Sequence, residues 1–143
     1  MAEQARQPQC VLVVDGDILV RHAIADYLRQ CGFVVIEAAT TDEAETVFGE
    51  TLPAVVAVLC DAEATGKRNA FRFRTWVLEQ GRVVNFLLAG NIEAAARKAA
   101  ELCEQGHYLA RPYDPQSVVE YIRRLLGSEP SASARIQTER PSL

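Results

Sequence analysis

The chain has 143 residues, 49% of them hydrophobic, which is enough for one domain with a substantial core and too few for two ordinary domains. Lysine and arginine number 15 against 19 aspartate and glutamate residues, and the net charge of -4 comes without any basic run. Direct binding to nucleic acid is therefore not expected. No segment approaches about 18 consecutive apolar residues and the polar N-terminus lacks a secretory signal, so we predict a cytoplasmic protein without membrane contact.

The predicted fold opens with an apolar run, Cys10–Val14, that ends at the acidic turn of residues 15–17. The apolar spacing across residues 20–28 then predicts a first helix. Residues 33–36 indicate a second strand. Residues 40–43 follow it with the threonine and glutamate spacing of a capping box, which predicts the start of a second helix.

The third strand is the most strongly marked, because residues 54–60 are a continuous valine-rich apolar run that starts after Pro53. Such a run is typical of a strand that is buried on both faces of a parallel sheet. Asp61 follows at its carboxyl end, which is the edge where open α/β sheets bind ligands. Asp61 is therefore a candidate functional residue, with a plain turn-starting role as the alternative.

The alternation of strand and helix continues through the second half of the chain. Apolar spacing over residues 71–77 predicts a third helix, and residues 83–88 indicate a fourth strand. Asn91 can cap an alanine-rich fourth helix. Residues 107–110 then form a short fifth strand, and residues 114–126 form a fifth helix that begins with a favourable Asp-Pro pair.

Five βα units in succession predict an α/β fold: a doubly wound, parallel, five-stranded sheet with helices on both faces and right-handed crossovers. We expect a flexible N-terminus at residues 1–8 and one folded domain at residues 9–127. Residues 128–143 are rich in serine, proline and charged residues, and they predict a disordered tail.

The cysteines give a prediction about the redox compartment. Cys10, Cys31, Cys60 and Cys103 are far apart, show no C-x-x-C spacing, and each lies in or beside an apolar run. This pattern is typical of buried free thiols, so we predict four such thiols in a reducing cytosol.

Polar groups converge at the carboxyl edge of the predicted sheet. Asp15 and Asp17 follow the first strand, Asp61 follows the third, and Arg111 follows the fifth. Carboxylates brought together repel each other unless a cation relieves them, and Mg²⁺ prefers such oxygen ligands. A phosphoryl group attracted to this cation can transfer to one carboxylate as an acyl phosphate, with Arg111 pairing to its oxygens.

Three segments together resemble the receiver domains of bacterial two-component response regulators. Residues 11–15 are similar to the family's first strand and acidic loop, residues 61–66 to its phosphoacceptor loop, and residues 108–113 to its last strand and Lys-Pro turn. The resemblance spans residues 10–126. It implies a CheY-like, flavodoxin-like three-layer sandwich that acts as a signalling domain rather than as an enzyme.

The resemblance also implies roles for individual residues. Asp61 becomes the phosphoacceptor, Asp15 an acidic-pocket residue and metal ligand, and Tyr108 the aromatic switch that reports phosphorylation together with position 89. The implied phosphodonor is a histidine kinase or a phosphotransfer protein. The implied output surface is the face formed by the fourth helix, fifth strand and fifth helix, which is also a possible homodimer interface.

The chain departs from the family at several chemical positions. Gly16 stands where the family usually has a second acid, Ala89 where it has serine or threonine, and Arg111 where it has lysine. The loop after Asp61 has Ala64-Thr65-Gly66 in place of the usual Met-Pro-Gly. Because Gly16 removes a metal ligand, we expect Mg²⁺ to bind weakly or not at all. Arg111 keeps the charge but has a forked geometry.

Several alternatives remain open from the sequence. Asp17 either replaces the missing acid as a third metal ligand or caps the first helix. Cys60 is either a redox thiol beside Asp61 or a small buried hydrophobe. For the whole domain, the readings are a stand-alone phosphorylated receiver, a pseudo-receiver that binds protein partners without phosphorylation, or a small flavodoxin-like enzyme. The enzyme reading has little support, because the sequence offers no convincing pairing of a nucleophile with a general base.

Overall fold

The computed structural model describes residues 9–50 and 55–106, together with helical residues 120, 123 and 124. The predicted fifth strand, with Tyr108, lies outside the described residues, as do Arg111, the N-terminal segment 1–8 and the tail 128–143. The strands are β1 (Cys10–Val14), β2 (Val34–Ala38), β3 (Val55–Asp61) and β4 (Asn85–Ala89). The helices are α1 (Ile18–Gln30), α2 (Thr41–Glu50), α3 (Ala70–Leu78) and α4 (Ile92–Gly106).

The described strands form one parallel sheet in the order β2-β1-β3-β4. Its two inner strands are apolar on both faces, as the valine-rich runs predict, and every residue of β1 is buried. The register places Val14 beside Ala38 on one side and beside Cys60 on the other, so the strands end at a common edge. The prediction of a doubly wound parallel α/β fold is confirmed over this part of the chain.

Within residues 9–50 and 55–106, two helices pack on each face of the sheet. Successive side chains of a strand point to opposite faces, so Val11 and Val13 enter one core while Leu12 and Val14 enter the other. The first core is completed by α1 and α4, and the second by α2 and α3. Among the described residues, none of the helices is long and apolar enough to cross a membrane.

The prediction of four free thiols is wrong for two of the cysteines, because Cys31 and Cys103 form a disulfide with a Cα–Cα distance of 5.6 Å. Cys31 caps the C-terminal end of α1, and Cys103 lies near the C-terminal end of α4. The two helices pack on the same face of the sheet, which brings residues separated by 72 positions together. Cys10 and Cys60 are buried free thiols, as predicted. The prediction of a reducing cytosol rested on four free thiols, and the disulfide takes that support away.

An ion-pair network on the first face centres on Glu37 of β2. The Arg21 Nε atom lies 3.0 Å from one carboxylate oxygen, while Arg29 and His22 approach the other oxygen at 3.2 and 3.4 Å. Burial raises the pKa of Glu37, but the hydrogen bonds from Arg21, His22 and Arg29 outweigh that effect and hold its pKa below the ordinary value.

We expect Glu37→Gln to make the protein less sensitive to acid. Because the folded pKa of Glu37 lies below its unfolded value, the network contributes its full stability above the unfolded pKa of about 4.5. That stability is lost as the pH falls through the folded pKa. Urea unfolding at a series of pH values between 7 and 3 measures the effect. The free energy of unfolding should fall less over this range in the variant than in the unaltered protein. Glu101→Gln, at an exposed position, is the control. If the stability of Glu37→Gln falls with pH as steeply as that of the unaltered protein, the prediction is wrong.

Candidate functional site

The carboxyl edge of the sheet brings Asp15 and Asp61 together. Asp61 is the last residue of β3 and lies opposite Ala89 of β4, while Asp15 directly follows β1. A cavity of about 230 Å³ opens between them, and Asp15, Asp17, Asp61 and Glu63 contribute its acidic part. The inner wall of the cavity is apolar, with contributions from the N-terminal halves of α1 and α4.

The Asp15 carboxylate is affected by the negative charges around it. Burial raises the pKa of Asp15, the charges of Asp61 and Asp17 raise it further, and the hydrogen bond from the Asp17 backbone N–H opposes both effects. That bond joins Asp17 N to Asp15 Oδ1 at 2.9 Å. The Arg21 guanidinium, which also lowers this pKa, donates to the Asp15 backbone carbonyl at 3.0 Å. Like charges at a half-buried edge favour an incoming cation.

Asp17 caps α1, which is the second of the two roles weighed from the sequence. Its Oδ1 atom accepts hydrogen bonds from the backbone N–H groups of Leu19 at 3.0 Å and Val20 at 3.3 Å. These are two of the otherwise unpaired donors at the start of the helix. The same oxygen is therefore committed to the helix rather than free for a metal ion.

The Asp61 carboxylate is fixed by the turn that follows β3. Its Oδ1 atom accepts from the Glu63 backbone N–H at 3.2 Å, and its backbone carbonyl accepts from Ala64 N at 3.0 Å. Between these, Ala62 N donates to the Ala89 carbonyl at 3.0 Å and extends the pairing with β4. Asp61 thus starts the turn and also faces the cavity, so the two roles considered for it are compatible.

No protein-family model matches the sequence, and no curated protein matches it either. Solved structures do match. The signal receiver domain of an HD domain-containing protein from Pseudomonas fluorescens Pf-5 superposes with a TM-score of 0.55 at 18% identity, covering 84% of this chain and 95% of that one. A response regulator receiver domain protein from Clostridium thermocellum gives a TM-score of 0.52 at 19% identity, with coverages of 82% and 94%.

A third match is the response regulator receiver domain of PhyR from Erythrobacter litoralis, with a TM-score of 0.51 at 21% identity over 90% of this chain and 97% of that one. The chain has the fold of a response regulator receiver domain. It spans nearly the whole length of these three receiver domains, so the expected resemblance is confirmed for the fold.

Two positions of this receiver fold lack a functional group beside the acidic pair. Ala89 is buried, borders the cavity and lies directly opposite Asp61, but its methyl group offers no hydrogen bond there. Gly16 supplies no carboxylate, although space for a side chain exists. A Cβ atom at Gly16 meets nothing closer than the Ala39 carbonyl at 3.7 Å, an ordinary contact distance. The backbone therefore accommodates an acid at position 16.

The fit of the receiver site to Mg²⁺ depends on Asp15 and Asp61. In residues 9–50 and 55–106, no cluster of three or more His, Cys, Asp or Glu side chains is arranged to hold a metal ion. Mg²⁺ is commonly held by one or two carboxylates, with waters and phosphate oxygens completing its octahedron. The Asp15 and Asp61 carboxylates therefore fit a loosely held Mg²⁺ ion, whereas the Oδ1 atom of Asp17 is engaged in capping α1.

Cys60 is an inert thiol in this receiver fold. Burial and the charges of Asp61 and Asp15 raise its pKa to about 12, so the thiolate that redox chemistry requires is not formed near neutral pH. The thiol group donates to the Asp61 backbone carbonyl at a distance of 3.4 Å. The interpretation of Cys60 as a small buried hydrophobe is confirmed.

The docking of residues 65–68 onto the start of α2 is a part of the site that was not predicted from the sequence. Thr41 makes the central contacts of this docking. The sequence signal was Gly66, a glycine five residues after Asp61, the last residue of β3, and its φ of 149° is one that few other residues adopt.

Proposed function

We propose that this receiver domain accepts a phosphoryl group on Asp61 from a histidine kinase or a phosphotransfer protein, and that it acts as a signalling domain. The observation that carries the proposal is the position of Asp61. Its carboxylate lies at the end of a buried central strand, beside Asp15, and faces a cavity large enough for a phosphoryl group. In open α/β sheets this edge is where ligands bind.

The chemistry is an in-line displacement at phosphorus. An Asp61 carboxylate oxygen forms the new P–O bond while the P–N bond of the donor phosphohistidine breaks, and the leaving imidazole takes up a proton. Asp15 and Asp61 would hold Mg²⁺, which supplies charge neutralisation for the phosphoryl oxygens. Arg111 pairs with the same oxygens, and Tyr108 rotates in response. The Arg111 role follows from its predicted place at this edge of the sheet, and the Tyr108 role follows from the resemblance alone.

The second candidate function is that of a pseudo-receiver, a protein-interaction module that works without phosphorylation. Three observations favour it: Gly16 offers no carboxylate, Ala89 offers no hydroxyl, and the Asp17 carboxylate caps α1. In both cases the partner is a protein rather than nucleic acid or membrane. The output surface proposed for the phosphorylated receiver is the face of the fourth helix, fifth strand and fifth helix, which is also the candidate homodimer interface.

A titration with beryllofluoride, a phosphoryl mimic, separates the two functions. With Mg²⁺ present, a phosphorylated receiver is expected to show changes in the amide NMR signals of Ala62, Glu63 and Ala89, which surround Asp61. The Asp61→Asn variant, which lacks the acceptor carboxylate, should show none of them. A titration that leaves these signals of the unaltered protein unchanged contradicts phosphoacceptance and favours the pseudo-receiver.

A further inference from the structure

The loop that follows Asp61 is docked on the first turn of α2 through Thr41. Thr41 is fully buried, and it is the one buried polar or charged residue among those that the structure describes. Its hydroxyl donates to the Arg68 carbonyl at 2.6 Å and lies 3.3 Å from the Thr65 carbonyl. The Thr41 backbone N–H also donates to Thr65 O, at 2.8 Å. One residue of α2 thus binds both ends of the loop segment 65–68.

Gly66 makes this close approach of the loop to Thr41 possible. Its φ is 149°, a conformation that residues with a side chain rarely adopt. A Cβ atom at this position would come within 2.0 Å of the Thr41 hydroxyl oxygen and 3.2 Å of Asp42 N. The loop backbone therefore passes over Thr41 at a distance that only glycine permits.

Charged residues on both sides reinforce the docking. The Asp42 carboxylate accepts from the Lys67 backbone N–H at 3.2 Å. The Arg68 guanidinium pairs with Glu45 of α2 at 2.5 Å and lies 5.4 Å from the ring centroid of Trp76 on α3. These partners are more exposed than Thr41 and are screened by water, so the buried hydroxyl is the decisive anchor.

We propose that Thr41 is a positioning residue for Asp61, an inference that rests on the proposed phosphoacceptor function. The Asp61 carboxylate accepts from Glu63 N, and Ala64 N binds the Asp61 carbonyl. Thr65, the next residue, is held by Thr41. The turn that aims the carboxylate is therefore fixed at one end by β3 and at the other end by Thr41.

Removing the hydroxyl releases the second end of this turn. Thr41→Val keeps the shape of the side chain but leaves the Arg68 carbonyl without its buried donor, a cost that the loop avoids by moving away. Thr41→Ser keeps the hydroxyl and is the rescue variant. Thr46→Val is the matched control, because the Thr46 hydroxyl binds Asp42 O within the same helix and is exposed.

The first measurement is limited trypsin digestion, which reports the loop without reference to phosphorylation. In Thr41→Val the rate of cleavage after Lys67 and Arg68 should rise about tenfold, while Thr41→Ser and Thr46→Val stay close to the unaltered protein. Cleavage after Arg97 on α4 in the same digestion measures global opening. A change in the Glu63 amide NMR signal, confined to Thr41→Val, reports the turn itself.

The second measurement is the labelling of Asp61 by phosphoramidate, in which the P–N bond breaks, the P–O bond to Asp61 forms and ammonia leaves. Misplacement of a reacting group by about 1 Å can cost about 100-fold. We expect Thr41→Val to lower the maximal labelling rate by about 10-fold or more, with the donor concentration at half-maximal rate unchanged. Thr41→Ser should restore the rate.

The outcomes separate this inference from the proposed function. If Thr41→Val shows the same loop cleavage, Glu63 signal and maximal labelling rate as Thr41→Ser, the positioning role is wrong. If cleavage after Arg97 rises in step with loop cleavage, Thr41 acts on global stability and the inference is again overturned. If the unaltered protein is not labelled at all, the proposed function is wrong, and the cleavage pattern and the Glu63 signal still decide whether Thr41 fixes the turn.

Discussion

The double substitution Gly16→Asp with Ala89→Thr is expected to raise the rate of Asp61 phosphorylation by small phosphodonors by at least tenfold. Gly16→Asp adds a carboxylate beside Asp15 at a position where the backbone accommodates a side chain. One pair of unit charges about 4 Å apart interacts by about 4 kcal/mol at an effective dielectric of about 20, before desolvation is subtracted. Even part of this energy strengthens the binding of a loosely held Mg²⁺ ion.

The second substitution acts on the phosphoryl group itself. Ala89 borders the cavity directly opposite Asp61, so a threonine hydroxyl there adds a hydrogen-bond donor beside the transferring group. Loss of one preorganised donor typically costs about 10²–10³-fold in rate, which sets the upper limit of the gain. The unaltered protein should accordingly be labelled slowly and bind Mg²⁺ weakly.

Intact-protein mass after treatment with phosphoramidate, at a series of Mg²⁺ concentrations, measures both effects. Asp61→Asn is the negative control. Gly49→Asp adds the same charge at a glycine that has no neighbouring atom within 4 Å of its Cβ position, and it controls for net charge. Rapid, Mg²⁺-dependent labelling of the unaltered protein would mean that Asp17 or bound water already supplies the missing ligand.

Loss of the Cys31–Cys103 disulfide is expected to lower the free energy of unfolding by about 4 kcal/mol. The bond links residues 72 positions apart, and the chain-entropy model gives about that value for a closed loop of this length. For a domain of this size the fall corresponds to a decrease in melting temperature of about 10 °C or more. Both cysteines are fully buried, so reduction requires the domain to open first.

Chemical denaturation of the oxidised and reduced protein measures this difference. Mass spectrometry of the intact protein counts the two hydrogens gained on reduction. The variant with both Cys31→Ala and Cys103→Ala is the control, because its stability should not respond to a reductant even though Cys10 and Cys60 remain as free thiols. Equal denaturation midpoints for the oxidised and reduced protein would contradict the prediction.

The features that were predicted from the sequence depend on residues close together in the chain. The run before Asp61 indicated β3 because seven apolar residues between a proline and an acidic turn fit a buried parallel strand. Asn91 was predicted as a cap, and a cap was one of the two roles weighed for Asp17, because capping involves backbone groups two or three residues away. Both side chains bind those groups.

Boundaries were less accurate, because an apolar residue is not always a buried one. The fourth strand was predicted to start at Val83, but β4 starts at Asn85 and Val83 is 99% exposed. Phe71 of α3 is likewise 59% exposed, while Phe73 two residues later is fully buried. Only the packing of helix on sheet distinguishes such residues.

The contacts that were missed join distant parts of the chain. Thr41 follows the capping-box residue Thr40, so the local pattern already had an explanation, while its hydroxyl partners lie 24 and 27 positions away. The disulfide was missed for the same reason. Its formation depends on which two helices share a face of the sheet, and the spacing of cysteines in the sequence contains no information about that.

The disulfide has a mechanical consequence for the cavity. It joins α1 and α4 near their C-terminal ends, whereas the N-terminal halves of the same helices line the cavity at the opposite end. Cys31 and Val20 are 11 positions apart along α1, as are Cys103 and Ile92 along α4, which is about 16 Å of helix. A change of about 5° in the angle between the helices, pivoting at the disulfide, moves the cavity walls apart by about 1.4 Å. The covalent bond therefore joins the two helices at the end away from the acidic site, while at the cavity the two helices are joined by no covalent bond.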